Sequence, residues 1–222
     1  MTNLKSFSKL ILKGLIMEFS DTIQQRQSVK SYQTDKVISD SELDGLMQEV
    51  VLSPSSFNLQ HWKFVAIKSN YTKYKIKEAA WGQEHVESCS FLIAVCGKLN
   101  AFEDAPVIYQ DVDPSIKNKV LPMIKNFYEN KEQLQRDEAI RSASLAAMTL
   151  MFGAVNRGWD TCPLIGFDPK AVSNILELDE SHIPVMLLTL GYRKEDPRPR
   201  SPRRPIAEVV KIDTLKGPGL MA

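Results

Sequence analysis

Two short polar stretches hold the side chains with the clearest potential for chemistry. In the first, "RQSVK", Arg26, Ser28 and Lys30 alternate, so an extended chain places all three on one face. Such a set suits a phosphate, because a guanidinium grips phosphate bidentately and a hydroxyl adds a neutral hydrogen bond. The same residues also fit the solvated end of a helix, and this segment alone leaves both interpretations open.

The second stretch is "SPSSFNLQHW" at residues 53–62. Asn58 and Gln60 each present a donor and an acceptor, which a site that binds the edge of a heterocycle requires. Ser55 and Ser56 also suit an ordinary turn, and Asn58 suits a loop cap. The stretch by itself does not separate a binding loop from a structural one.

The sequence contains no recognisable nucleophile or hydride carrier of its own. It lacks a Ser-His-Asp or Cys-His pattern, a GxxxxGK loop and a GxGxxG turn after a strand. Its three cysteines and three histidines include no CxxC and no cluster, which argues against a metal site or a disulfide framework and predicts a cytoplasmic protein. If the protein is an enzyme, we therefore expect a cofactor to carry out the chemistry.

Composition narrows the class of protein further. The chain has 222 residues, of which 43% are hydrophobic, and this is ample for a folded core. The net charge of +1 favours neither nucleic acid nor an anionic membrane, so any anion site must be local. No stretch approaches the roughly 18 apolar residues that a membrane span needs. We therefore expect no nucleic-acid partner and no membrane partner.

Hydrophobic periodicity predicts an α+β fold. Ser39 and Glu42 form a capping-box pattern that starts a helix reaching residue 51. The segment 136–157 is apolar almost all round, so that helix is either central or packed against a second subunit, with Gly158 as its cap. Other helices are predicted over 18–28, 71–80, 114–130 and 169–177, and buried strands over 64–67, 91–97 and 183–191, with a further short strand before Asp168.

Three regions follow from these patterns. Residues 1–17 are predicted to be a disordered N-terminal extension upstream of a true start at Met17, with a basic amphipathic membrane helix as the alternative. Residues 18–192 form the α+β domain. Residues 193–222 are rich in arginine and proline and predict an extended C-terminal arm.

In the order and spacing of six segments, the sequence closely resembles the nitroreductase family of FMN-dependent oxidoreductases. The segments are "RQSVKSY", "SPSSFNLQHWKFVAI", "WGQEHVESCSFLIAV", "DTCPLIGFD", "IPVMLLTLGY" and "SPRRPIAEVV", and the resemblance covers residues 18–212. It implies a mixed β-sheet flanked by helices, a long central helix at a homodimer interface, and a C-terminal arm that completes the cofactor site.

The resemblance also implies which residues bind FMN. The first segment would hold the phosphate and the pyrimidine side of the flavin, and Lys30 would tune the flavin as a nearby cation. The loop that follows would lie along the cofactor, which both subunits would bind. The implied residues of these two segments are Arg26, Gln27, Ser28, Lys30, Pro54, Ser55, Ser56, Asn58 and Gln60.

The sequence differs from the usual family pattern at three positions. His61 stands where the family usually has proline, Ile165 where many relatives have an acidic residue, and Ser201 where a lysine is expected. Arg200 is the candidate replacement for that lysine. The further implied cofactor residues are Gln83, Pro163, Leu164, Ile165, Gly166, Arg200 and Arg203.

The activity that the resemblance implies is that of a flavoprotein oxidoreductase. NADPH or NADH would reduce FMN, and a nitroaromatic or quinone acceptor would then reoxidise it by a ping-pong mechanism. No side chain is expected to be an obligatory catalyst, because the reactive centre is flavin N5. The alternatives are a relative dedicated to one metabolite, for example by reductive dehalogenation, and a non-catalytic flavin-binding protein.

Overall fold

Helices and strands succeed each other along residues 18–220, the part of the chain that the computed structural model describes. The predictions for residues 1–17 lie outside it. The helices are α1 (Phe19–Gln25), α2 (Asp40–Val50), α3 (Asn70–Ala79), α4 (His85–Ser88), α5 (Ala105–Ile108), α6 (Pro114–Tyr128), α7 (Glu132–Asn156), α8 (Pro169–Ile175) and α9 (Ile206–Val209). The strands are β1 (Trp62–Ile67), β2 (Phe91–Lys98), β3 (Asp160–Leu164) and β4 (His182–Gly191).

The strands form one sheet in the order β1-β2-β4-β3, and each neighbouring pair is antiparallel. Ser28 also forms an isolated parallel bridge to Thr161, outside the pairing of the four strands. Strand β2 is buried and without polar side chains from Phe91 to Gly97, because both faces of the sheet are covered. Alternate β2 residues enter two cores: Phe91, Ile93 and Val95 on the α2 and α7 side, and Leu92, Ala94 and Cys96 on the α3 and α8 side.

The long helix α7 is central, as the sequence predicts. It packs closely on β2, because a Cβ on Gly97 would lie only 3.0 Å from the Ala139 Cβ. The helix begins at Glu132 rather than at the predicted 136. The extra turn has the sequence "EQLQ", whose residues are good helix formers but include only one apolar side chain, that of the partly buried Leu134.

The other predicted elements are present with shifted ends. The capping box of α2 is complete, with the Glu42 N–H donating to Ser39 Oγ and the Ser39 N–H donating to the Glu42 carboxylate. Gly158 follows α7 with a φ of 74°, a conformation that favours glycine. No helix between residues 18 and 220 combines the length and apolarity needed to cross a bilayer.

The C-terminal arm is only partly extended, which corrects the sequence prediction. It runs without regular structure from residue 194 to 205 and then forms the one-turn helix α9. The Val210 N–H donates to the Ile206 carbonyl at 2.8 Å and closes this turn, and Lys211 pairs with Gly219 in an antiparallel bridge. The arm therefore folds back on itself beyond its arginine-rich part.

Candidate functional site

The "RQSVK" segment leaves α1 as an extended segment beside β3, to which Ser28 forms a single bridge. The buried Val29 faces inward, and its N–H donates to the Thr161 carbonyl at 3.0 Å. Because side chains alternate along an extended chain, Arg26, Ser28 and Lys30 share the opposite side. They line a cavity of about 480 Å³ together with Gln27, so the structure brings these four predicted residues together.

The C-terminal arm forms the other wall of this cavity. Arg200 and Arg203 both line it. The Arg200 Nη2 donates to the carbonyls of Gln24 at 2.7 Å and Arg26 at 2.8 Å, where α1 ends. These bonds attach the arm to the α1 end, and this geometry cannot be read from the sequence because 174 residues separate Arg200 from Arg26. We call this space, which the six named cationic and polar residues of the two segments line, the arginine cavity.

The arginine cavity gathers like charges without a paired anion. Partial burial lowers the pKa of Arg26, and the guanidinium groups of Arg200 and Arg203 lower it further. Within residues 18–220, no carboxylate oxygen lies within 4.0 Å of the nitrogen atoms of these three side chains. Glu195 and Asp196 also line the cavity, and Asp196 pairs with Arg193. Converging cations of this kind are stabilised by a bound anion. The donor set therefore fits the phosphate of FMN.

The second polar stretch forms a loop with an unusual backbone. Phe57, Asn58 and Gln60 have φ values of 51°, 52° and 51°. Left-handed conformations cost non-glycine residues about 1–2 kcal/mol each and concentrate at functional sites. The Gln60 N–H donates to Ser55 Oγ at 2.9 Å, and this bond closes the loop with the Asn58 and Gln60 side chains exposed.

His61 explains part of this conformation. A proline at position 61 would disfavour helical conformations of the preceding residue, so histidine leaves the left-handed backbone of Gln60 accessible. The His61 side chain is only 1% exposed and packs edge-on against Tyr128, with ring centroids 5.9 Å apart. Burial lowers its pKa, while the Glu138 carboxylate acts in the opposite direction. It is a structural histidine rather than a surface one.

The structure does not bring this loop to the arginine cavity of the same chain. In the described part of the chain, the lining of the cavity includes none of the five predicted loop residues. These are Pro54, Ser55, Ser56, Asn58 and Gln60. The two groups therefore form separate parts of the candidate site.

The side chain of Gln83 fixes the turn after β3. The Gln83 Nε2 donates to the carbonyl of Gly166 at 2.8 Å and to that of Ala80 at 3.1 Å, so Gln83 joins the end of α3 to this turn. A Cβ on Gly166 would lie 3.0 Å from the exposed Trp81 ring, so a larger residue here would have to displace that ring. Pro163 and Leu164 end β3, and the Ile165 side chain next to them is 78% exposed.

Sequence reasoning missed two tyrosines that contact the loop. The Tyr109 hydroxyl donates to the Phe57 carbonyl, and the Tyr128 hydroxyl donates to Ser56 Oγ, both at 2.8 Å. These contacts span 52 and 72 residues, and no motif in the sequence signals them. In the part of the chain that is described, no group of His, Cys, Asp and Glu side chains is arranged to hold a metal ion.

The structure shows an α+β protein with a cavity lined by arginines and a polar loop with left-handed backbone, and comparison with known proteins gives its family. The family model described as the nitroreductase family matches residues 23–192. The chain belongs to the nitroreductase family.

Individual relatives agree with this assignment. MhqN of Bacillus subtilis, whose name places it among the NAD(P)H nitroreductases, is 40% identical over 207 residues, covering 87% of this chain and 98% of MhqN. A Staphylococcus epidermidis structure described as an NAD(P)H:FMN oxidoreductase superposes with a TM-score of 0.84 at 29% identity, covering 89% and 96% of the two chains. An Exiguobacterium sibiricum nitroreductase structure in complex with FMN gives 0.82 at 29% identity, covering 88% and 97%.

Proposed function

We propose that this protein is an FMN-dependent oxidoreductase that takes electrons from NADPH or NADH and reduces nitroaromatic or quinone-type acceptors. The observation that carries the proposal is the arginine cavity, where Arg26, Arg200 and Arg203 converge without a carboxylate partner among residues 18–220. Relatives whose names specify NAD(P)H and FMN support the same cofactor and donor.

Each part of the site has a task in this proposal. Arg26, Ser28, Arg200 and Arg203 hold the phosphate, and Gln27 lies beside them in the cavity wall. Lys30, on the same wall, lies toward the pyrimidine side of the flavin. A cation there stabilises the negative charge that the ring carries after reduction.

When bound, FMN supplies the redox chemistry by accepting two electrons from the nicotinamide donor and passing them to the acceptor in a ping-pong cycle. The chain contributes position and electrostatics. Asn58 and Gln60 present exposed amides to the heterocycle. The turn at Ile165 and Gly166, held open by Gln83, gives a ligand close access to backbone.

The protein works as a homodimer in this proposal. The loop residues 54–60 do not line the arginine cavity of their own subunit, so a flavin that contacts both groups is bound by two subunits. Residues 18–192 form the domain, and the arm from 193 onward completes the phosphate site through Arg200 and Arg203.

Steady-state kinetics test the proposal. FMN-loaded protein is assayed with NADPH and with NADH at several fixed concentrations of 1,4-benzoquinone or nitrofurazone. Parallel double-reciprocal lines are the expected result for a ping-pong cycle. Intersecting lines would contradict that mechanism, and no turnover with either acceptor class would point to a dedicated metabolite or to flavin binding without catalysis. Light scattering of the same sample reports whether it is a dimer.

A further inference from the structure

We propose that Tyr128 and Tyr109 are positioning residues that hold the loop 54–60 in its cofactor-binding conformation. The inference rests on the proposed function, because it gives that loop the task of binding FMN. It concerns residues outside the arginine cavity: Tyr109 follows α5 and Tyr128 ends α6.

The two hydroxyl groups bond to adjacent residues of the loop. Tyr128 is 1% exposed, and its hydroxyl donates to Ser56 Oγ at 2.8 Å. The Tyr109 hydroxyl donates to the Phe57 carbonyl at the same distance. Both donors come from the segment that covers this side of the loop, so the loop and this segment are joined at two points.

Aromatic packing fixes the same part of the loop. The Phe57 ring lies edge-on to Phe127 and Tyr128, with centroids 5.8 Å and 6.2 Å away. Phe102 stacks on Tyr128 at 6.2 Å with an interplanar angle of 20°, and His61 meets it edge-on. We call Phe57, Phe102, Phe127 and Tyr128 the aromatic clamp.

The clamp acts where the backbone is strained. Phe57 and Asn58 are left-handed and directly follow Ser56, and such conformations persist only where the surroundings enforce them. Without the two hydroxyl bonds, a larger fraction of molecules has a relaxed loop with misdirected Asn58 and Gln60 amides. A ligand that needs the strained loop then binds with an affinity reduced by the fraction of competent molecules.

The direction of the Tyr128 bond adds a second effect. Because the phenol donates, the Ser56 hydroxyl uses its oxygen as acceptor and keeps its own hydrogen for another partner. Phosphate and flavin carbonyl oxygens are acceptors only, so Tyr128 leaves Ser56 oriented as a donor toward them. The Tyr128 hydroxyl thus acts on the ligand through Ser56.

The first test measures FMN affinity by quenching of flavin fluorescence in wild type and in Tyr128→Phe. The variant keeps the ring of the clamp and loses only the hydroxyl. We expect the dissociation constant to rise about fivefold, the effect of one net hydrogen bond. Tyr71→Phe is the matched control, since Tyr71 is 68% exposed and lies in α3, and we expect it to match wild type.

A double-mutant cycle separates positioning from general stability. In a Ser56→Ala background, Tyr128→Phe should change the dissociation constant for FMN no further, because the hydroxyl has lost the group through which it acts. Equal effects of Tyr128→Phe in both backgrounds would overturn the proposal. So would an unchanged affinity accompanied by a lower melting temperature, since that is the result of a merely structural bond.

Hydrogen exchange of the protein without flavin distinguishes two failures: that of the proposed positioning role of Tyr128, and that of the proposed function. The Asn58 N–H donates to the Ser55 carbonyl and the Gln60 N–H to Ser55 Oγ. Both amides should exchange faster in Tyr128→Phe than in Tyr71→Phe. Equal rates would overturn the proposal that the Tyr128 hydroxyl holds the loop. If wild type bound no FMN while the rates still differed, only the proposed function would fail.

Discussion

Replacing Arg26 with alanine should weaken FMN binding without weakening the fold. The Arg26 guanidinium lines the arginine cavity and lies near those of Arg200 and Arg203, which lower its pKa in addition to the effect of burial. In the flavin-free protein its removal relieves repulsion between like charges. We therefore expect the free energy of unfolding of the flavin-free variant to equal or slightly exceed that of wild type.

The loss of affinity follows from the bonds that Arg26 offers to phosphate. A hydrogen bond to a charged group contributes about 1.5–3 kcal/mol, which corresponds to roughly a 10- to 150-fold increase in the dissociation constant for FMN. Arg200 and Arg203 remain in the cavity, so we expect binding to be weakened rather than abolished. The loss should shrink as salt concentration rises.

Comparing FMN with riboflavin makes the measurement specific. Riboflavin has the same ring system without the phosphate, so Arg26→Ala should leave its dissociation constant unchanged. Arg204→Ala is the matched control, because this exposed arginine belongs to the same arm and does not line the cavity. Equal losses for both flavins would show that Arg26 acts on the ring or on the fold. An unchanged FMN affinity would refute the phosphate assignment.

Three further predictions concern charge, packing and pH. Lys30→Met should lower the two-electron potential of bound flavin by on the order of 30–60 mV in a spectroelectrochemical titration, whereas Lys30→Arg should not. Gly153→Ala should lower the free energy of unfolding, measured by urea denaturation, by about 1–3 kcal/mol, since the new Cβ would lie 2.5 Å from the buried Leu46 Cδ1. Gly45→Ala is the control: a Cβ there would have nothing within 4 Å, so this variant should be more stable than wild type. Burial lowers the pKa of His61, so the unfolded chain binds more protons and stability should fall below about pH 6.5. His61→Gln should reduce that slope; an identical slope would contradict the assignment.

Much of the fold could be predicted because its signals are local. The capping box at Ser39 and Glu42 lies within one turn, and the apolar runs that became β2 and β4 report burial on both faces of a sheet. The "RQSVK" alternation likewise placed Arg26, Ser28 and Lys30 on one wall, because an extended backbone has a period of two.

The rest depends on contacts between distant parts of the chain. The Gln83 bond to Gly166 spans 83 residues, and the bond from Tyr128 to Ser56 spans 72. No periodicity or motif encodes such pairs, since tertiary packing decides which side chains meet. The folded end of the arm was missed for a related reason: its proline-rich start dominates the composition, while α9 is a single turn.

The absorption spectrum of the purified protein, reconstituted with FMN and titrated without oxygen with NADPH in one sample and NADH in another, tests the central claim most directly. The account predicts bound flavin whose visible bands bleach on adding either donor and return on adding a quinone or nitro compound. Protein that stays colourless after FMN is added would contradict the assignment of the arginine cavity. Bound flavin that neither donor reduces would contradict the proposed activity and leave flavin binding alone.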